Sequence, residues 1–343
     1  MKILFIPAPQ EKQTFARTPL VYRALAKKHE VFGICSSNSF LSKIKAYNEA
    51  KKILKSQKIG LIFCEQPENA FIGAILATKF GKPLFFDSHG SVKLFSDSLG
   101  KNLFYRKMFG FFEKQACDIA TAVTTVSETD KKELQKHSGN NKKFFVVPTW
   151  IDNGRIKKTA KKKAREALGF DTAKKHLLFF GSLDYAPNQG AVNFISEKLA
   201  PALESENCII HICGSGKLRA KRAKNIAFHG FVQDIVSFIN ASDAVIAPIW
   251  KGVGILEKVL LPMACGKTVI ATKLAKAGIP ELQDNENALV AGSETDFAKK
   301  TIQFVEGKYD NEKIGKNAEE LIKEKYAGTN EKKLLEIIEA AAK

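Results

Sequence analysis

Short apolar runs recur along the chain and alternate with longer stretches of helical period. In the first half the runs are Ile3–Pro7, Val31–Cys35, Leu61–Cys64, Leu84–Asp87, Ala120–Val126 and Phe144–Val147. Helix-period segments separate them at Thr18–Lys28, Leu41–Lys55, Asn69–Phe80, Leu99–Ala116 and Glu128–His137. Strands spaced by helices of this length imply parallel crossovers in an open α/β sheet. The alternation then pauses at Arg155–Arg165, a cation-rich stretch without a carboxylate. Such a stretch predicts a solvated linker, or the first turns of a polar helix, at a domain boundary.

Beyond the pause, strands are predicted at Leu177–Gly181, Cys208–Cys213, Ile226–Phe228, Ala244–Pro248 and Thr268–Thr272. Helices are predicted at Ala191–Leu199, Ile235–Asn240 and Ile255–Ala264. From Thr295 the pattern is helical in about three pieces, broken near Gly307–Tyr309 and Gly328–Asn330. A chain of 343 residues exceeds one ordinary core. The pattern predicts two Rossmann-like α/β domains, 1–152 and 166–325, with a basic linker 153–165 and a last helical segment 326–343.

Charge changes this picture in one respect. Of the formal +18, roughly +12 falls before residue 151 and roughly +6 in 151–180. A basic first half suits phosphorylated substrates, an anionic membrane surface or nucleic acid, and charge alone does not choose among them. No recognised nucleic-acid module is present, so no nucleic-acid partner is expected. No apolar run approaches the ~18–20 residues that span a bilayer. The first run is too short for a signal peptide core and predicts cytoplasmic residence. The cysteines Cys35, Cys64, Cys117, Cys208, Cys213 and Cys265 show no C-x-x-C spacing and no histidine at a ligand offset. Buried thiols are expected, with no metal and no resident cofactor.

Ligands of open α/β sheets bind outside the carboxyl ends of the strands, so the residues after each strand carry the candidate chemistry. With two such domains, the expected place is the cleft between them. The central stretch is Ala247–Thr272, where a glycine turn at Gly252 and Gly254 lies between a strand and a helix N-terminus. Such a turn leaves backbone N–H groups unpaired and is an anion site by geometry. After the other second-half strands come G-S-L-D-Y-A-P-N (Gly181–Asn188), C-G-S-G-K (Cys213–Lys217) and H-G-F-V-Q-D-I (His229–Ile235). In the first half, Lys12 and Arg17 follow strand one and are candidates for a substrate phosphate. D-S-H-G-S, Asp87–Ser91, follows strand four and places His89 to reach into a cleft.

In this order these stretches resemble the GT-B glycosyltransferases, in the large family of retaining enzymes that use nucleotide sugars (family 4-like, group 1). The similarity continues through P-I-W-K-G-V-G-I-L-E-K-V-L-L-P-M-A-C-G-K-T-V-I-A-T and G-I-P-E-L-Q-D-N-E-N-A-L-V. In the first half it takes in T-V-S-E at Thr125–Glu128 and V-V-P-T-W-I-D at Val146–Asp152. The resemblance implies two Rossmann-like domains with parallel sheets facing across a cleft, acceptor in the first and nucleotide sugar in the second. The last helix would cross back to the first domain. The implied donor residues are Gly181, Ser182, Tyr185, Asn188, Gly214, Ser215, Lys217, Phe231, Val232, Lys251, Gly252, Val253, Gly254, Ile255 and Lys258. Backbone at Phe231 and Val232 would meet the base, and the Gly252–Gly254 amides the sugar and diphosphate. His89 would lie near the transferred sugar. Lys217, Lys251, Lys258 and the helix beginning near Ile255 would stabilise the leaving diphosphate without a metal.

The family usually carries a glutamate where this chain has Leu261, followed by Pro262. Glu257 lies one turn earlier on the same helix face and is the candidate substitute. The expected activity is transfer of a sugar to a glycan or lipid-linked acceptor with retention, in cell-envelope glycan synthesis. The alternatives are a weak or inactive relative that binds a sugar nucleotide or glycan, and a GT-B epimerase. Lys101–Lys114 interleaves cations with aromatics. It reads either as a basic amphipathic helix on the inner face of an anionic membrane or as an apolar stripe facing the core.

Overall fold

The computed structural model describes residues 1–8, 16–34, 37, 39–137, 141–217, 223–252 and 257–342. It divides into two compact units. Among the described residues the first is Met1–Trp150 with the stretch from Gly328 onward; the second is Ile151–Gly252 with 257–327.

The first unit is built on six parallel strands: β1 Lys2–Ile6, β2 Glu30–Gly33, β3 Leu61–Glu65, β4 Leu84–Ser88, β5 Ala122–Thr125 and β6 Phe144–Val146. Their order is β2-β1-β3-β4-β5-β6. Every residue of β3, β4 and β5 is buried, as helices on both faces of a parallel sheet require. One face packs Phe5, Phe63 and Phe85 against helix Arg17–Ala26 and the last helix, Gly328–Ala341, through Leu334, Leu335 and Ile338. The other face packs Leu4, Ile62 and Phe86 against helices Phe40–Ser56 and Pro67–Phe80.

The second unit has β7 Lys175–Phe180, β8 Cys208–Cys213, β9 Ile226–Gly230, β10 Ala244–Ala247, β11 Thr268–Thr272 and β12 Leu289–Ala291. The order β12-β11-β10-β7-β8-β9 reverses direction between β7 and β10, the doubly wound arrangement of dinucleotide-binding sheets. Helix ends obey local chemistry in both units. Ser39, Ser91, Asn102, Ser127 and Ser293 each accept a hydrogen bond from the backbone of the first helical turn.

One expectation about the elements is corrected. The helix expected over Leu99–Ala116 begins only at Leu103 and runs to Ile119, after a separate helix Val92–Leu99, because Gly100 turns left-handed (φ 60°) and Asn102 caps a new start. The stretch 153–165 belongs to the second unit, and helix Lys161–Leu168 begins inside it, the polar-helix reading of the two. Arg165 is buried there and donates to Asp243 at 2.6 Å and to the Ala241 carbonyl at 2.9 Å. Strand β12 was not anticipated. Cys64, Cys117, Cys208, Cys213 and Cys265 are buried free thiols; Cys35 lies outside the described residues. No helix among the described residues is long and apolar enough to cross a membrane.

Helix Leu103–Ile119 does not turn its aromatics wholly inward. Glu113, Ala116 and Cys117 are its buried residues, whereas Leu103 (65%), Phe104 (73%) and Phe111 (52%) are exposed. Leu103, Lys107, Phe111 and Lys114 are all exposed and fall on one stripe at helical spacing.

In the second unit, three histidines from adjacent strands form one hydrogen-bonded chain. His176 Nε2 lies 2.7 Å from the Asp171 carbonyl, which only accepts, so that nitrogen carries the proton. His176 Nδ1 lies 2.8 Å from His211 Nε2, and His211 Nδ1 lies 2.8 Å from His229 Nε2. With neutral rings this order dictates an Nε2–H tautomer throughout. Phe170 stacks on His211 with centroids 4.0 Å apart. Burial lowers the pKa of His176 and His229, and lowers that of His211 to about 3.

Candidate functional site

In the first unit, β1 and β3 sit side by side while the chain goes out to β2 on the other flank, so their carboxyl ends border the crevice of this sheet. Charged side chains gather there. Asp87, in β4, is fully buried and accepts from Arg17 through both oxygens, Nε at 2.8 Å and Nη2 at 2.7 Å. Thr124 donates to the same carboxylate at 2.6 Å, and Arg17 Nη1 donates to the Val147 carbonyl at 2.9 Å. Arg17 was expected to meet a substrate phosphate. It is instead 4% exposed and spent on this bidentate pair, which corrects that expectation. Lys12 lies outside the described residues.

His89 follows β4 and brings its ring to the cluster. Nε2 lies 3.4 Å from Asp87 and 3.5 Å from Glu65 Oε1, ion-pair distances beyond ordinary hydrogen-bond length. Nδ1 lies 3.3 Å from the side-chain amide of Gln66. Burial opposes charge on this ring, but the Glu65 and Asp87 carboxylates override it and raise His89 to about 9. Burial would likewise raise the Asp87 carboxyl; the Arg17 guanidinium and His89 hold it well below the usual carboxylate range. The three ligand atoms of Glu65, Asp87 and His89 lie within 4.8 Å of one another, the spacing of a cation site. Three of the four carboxylate oxygens already accept hydrogen bonds, and Arg17 supplies a positive charge. The group fits a hydrogen-bonded charge cluster better than a metal centre.

In the second unit the glycine loops after β7, β8 and β9 interlock beside the β7/β10 switch point. The Gly181 amide donates to the Cys213 carbonyl at 3.0 Å, and the Leu183 amide to the Ser215 carbonyl at 2.7 Å. A Cβ on Gly214 would stand 1.9 Å from the Gly181 carbonyl oxygen, so only glycine fits. The Asn188 amide donates to the Ser182 carbonyl at 2.8 Å and its oxygen accepts from Lys258 Nζ at 3.0 Å. Gly181, Ser182, Asn188, Gly214, Ser215 and Lys258 thus form one net. Gly230, accepting from the Gly214 amide at 2.7 Å, links it to exposed Phe231 and half-buried Val232. Tyr185, Lys217 and Lys251 are exposed, and the Lys217 amide donates to Asp184 at 3.2 Å. Gly252 adopts φ 136°, open to glycine alone without strain. Val253, Gly254 and Ile255 lie outside the described residues.

A family model described as Glycosyltransferase Family 4 matches residues 4–155, and one described as Glycosyl transferases group 1 matches residues 174–306. Together they take in most of both units. The chain belongs to the glycosyltransferases. It is 27% identical over 278 residues to an uncharacterized glycosyltransferase of Methanocaldococcus jannaschii, covering 75% of this chain and 68% of that protein. The fold is that of the sucrose-phosphate synthase of Thermosynechococcus elongatus, with TM-score 0.81 at 13% identity over 99% of this chain and 98% of that one. Anabaena HepE in complex with UDP-glucose superposes with TM-score 0.78 at 16% identity, over 99% and 100%. These structures and the two six-stranded parallel sheets make this glycosyltransferase GT-B. In this glycosyltransferase Leu261 is 2% exposed, and half-buried Glu257 opens helix Glu257–Ala264 one turn earlier. Glu65, Gln66 and Asp87, which complete the His89 cluster, were not among the residues expected from sequence.

Proposed function

We propose that this glycosyltransferase moves a sugar from a nucleotide-sugar donor to a glycan or lipid-linked acceptor of the cell envelope. The second unit binds the donor, the first the acceptor, and the anomeric configuration is retained without a metal. The observation that carries this reading is the interlocked loop net beside the β7/β10 switch point. Through Asn188 it holds Lys258 in place, a cation suited to a diphosphate that gains charge as the sugar leaves. Retention follows from the family resemblance, and His89, held toward its charged form by Glu65 and Asp87, would act by its charge near the transferred sugar.

Uridine nucleotides are the first probes, because HepE was captured with UDP-glucose. UDP and UDP-glucose at ~100-fold excess over Kd should add ~2.7 kcal/mol of stability in a thermal-shift titration. Lys258→Met, which keeps the stem and removes the ammonium, should shrink that gain. No shift with uridine, adenosine or guanosine diphosphates would refute the donor site. Buried Leu261, in place of the usual glutamate, favours a second reading, a binding protein of low turnover. A shift without sugar transfer would select it.

The exposed stripe of Leu103, Lys107, Phe111 and Lys114 supports contact with an anionic membrane surface. The protein is expected to co-sediment with phosphatidylglycerol vesicles, less so after Phe104→Ser with Phe111→Ser, and not with phosphatidylcholine. Equal recovery with both lipids, or with neither, would remove this part of the proposal.

A further inference from the structure

We propose that Glu65 and Gln66, consecutive residues at the end of β3, are positioning residues that hold the His89 ring by its two nitrogens. The inference rests on the reading that His89 serves sugar transfer. Glu65 is fully buried, and its two oxygens do different things. Oε2 accepts from the Ala8 amide at 2.8 Å and from Thr18 Oγ1 at 2.7 Å, which anchors the carboxylate to the end of β1 and to helix Arg17–Ala26. Among the described residues Oε1 has no hydrogen-bond partner, nor has His89 Nε2, and the two face each other across 3.5 Å. A buried carboxylate anchored on one oxygen and left open on the other is costly as a mere packing element. Facing an imidazolium, the same arrangement supplies the opposite charge. Asp87 has Arg17 for its counter-ion; Glu65 has His89.

The other ring nitrogen belongs to Gln66. This residue has φ 65° and ψ 148°, and with Asn285 it makes up the non-glycine residues of positive φ among those described. Few side chains tolerate that backbone, and strain of this sort persists where the surroundings impose it. Pro67, at the first turn of helix Pro67–Phe80, already bars Gln66 from helical geometry. The Gln66 amide reaches His89 Nδ1 at 3.3 Å, and a carboxamide can present either nitrogen or oxygen there. With the ring protonated it presents oxygen. The charged groups facing the ring are Glu65 from β3 and Asp87 from β4, with Arg17 behind Asp87.

The experiment is histidine-ring 15N NMR of the full chain, which reads protonation of each nitrogen, paired with UDP release from UDP-glucose. Wild-type His89 is expected to titrate near 9. In Glu65→Gln it should titrate at least about one pH unit lower. kcat should fall about tenfold or more, with KM for UDP-glucose within about twofold. Gln66→Gly relieves the backbone and so keeps the fold, yet should free Nδ1 and lower kcat in the same way. Titration unchanged in both variants overturns the proposal, as does a stoichiometric metal in wild type that Glu65→Gln loses. His89→Ala separates the two readings. Undiminished transfer in that variant refutes the role of His89, while the ring titration still decides whether Glu65 and Gln66 hold it.

Discussion

Arg17→Ala is expected to cost the first unit about 3–5 kcal/mol of stability, the toll of stranding a buried charge. Arg17 and Asp87 are 4% and 0% exposed, and the guanidinium meets both carboxylate oxygens. Removing it leaves the buried Asp87 carboxylate with Thr124 and His89 as its remaining partners. The Arg17 guanidinium also lies 5.9 Å from the centre of the Trp150 ring, so tryptophan emission during urea unfolding reports on the site. Arg17→Met with Asp87→Asn should recover part of the loss, because the stranded charge is then gone. Acid tests the pair from the other side. Asp87 has a native pKa below its unfolded value, so its contribution is full above pH ~4 and fades as pH falls toward the native value. A loss below about 1 kcal/mol in Arg17→Ala would mean that water reaches Asp87 and that the cluster is not sealed.

The second large effect is acid sensitivity of the other unit. The His176–His211–His229 chain holds its rings neutral, and His211 titrates near 3. An unfolded histidine binds its proton near pH 6.5, so below that pH the unfolded state gains protons that the native state refuses. Stability is therefore full above ~6.5 and declines as pH falls. At pH 5 the deficit from His211 alone is about 2 kcal/mol. Urea midpoints between pH 7.5 and 5 should fall steeply for wild type and less steeply for His211→Phe, whose ring can keep the stack on Phe170. Equal slopes would show that the chain opens to solvent before the unit unfolds.

Much of the fold was legible because parallel sheets buried on both faces need uninterrupted apolar runs. Leu61–Cys64 and Thr268–Thr272 announce themselves in that way. Strand β12 is three residues long, and its apolar run, Ala288–Ala291, is too brief to stand out between polar neighbours. The helix break at Gly100 was missed because one glycine in a periodic stretch does not say whether it turns left-handed. His89 could be singled out because it follows a strand and precedes a glycine. Its partners could not. Glu65 hides at the end of an apolar run that looks complete at Cys64, and Arg17 finds Asp87 across 70 positions of sequence. The histidine chain depends on which parallel strands are neighbours, and no local spacing reveals that. The glycine loops of the second unit were legible as a set because each follows a strand of one sheet.

The last helix belongs with the first unit, and that carries a cost during synthesis. Leu334, Leu335 and Ile338 pack with Phe63 and Phe85, yet the ribosome makes them after the whole of the second unit. The nascent first 150 residues therefore wait with part of one sheet face uncovered, sticky toward neighbouring chains until this helix has been made.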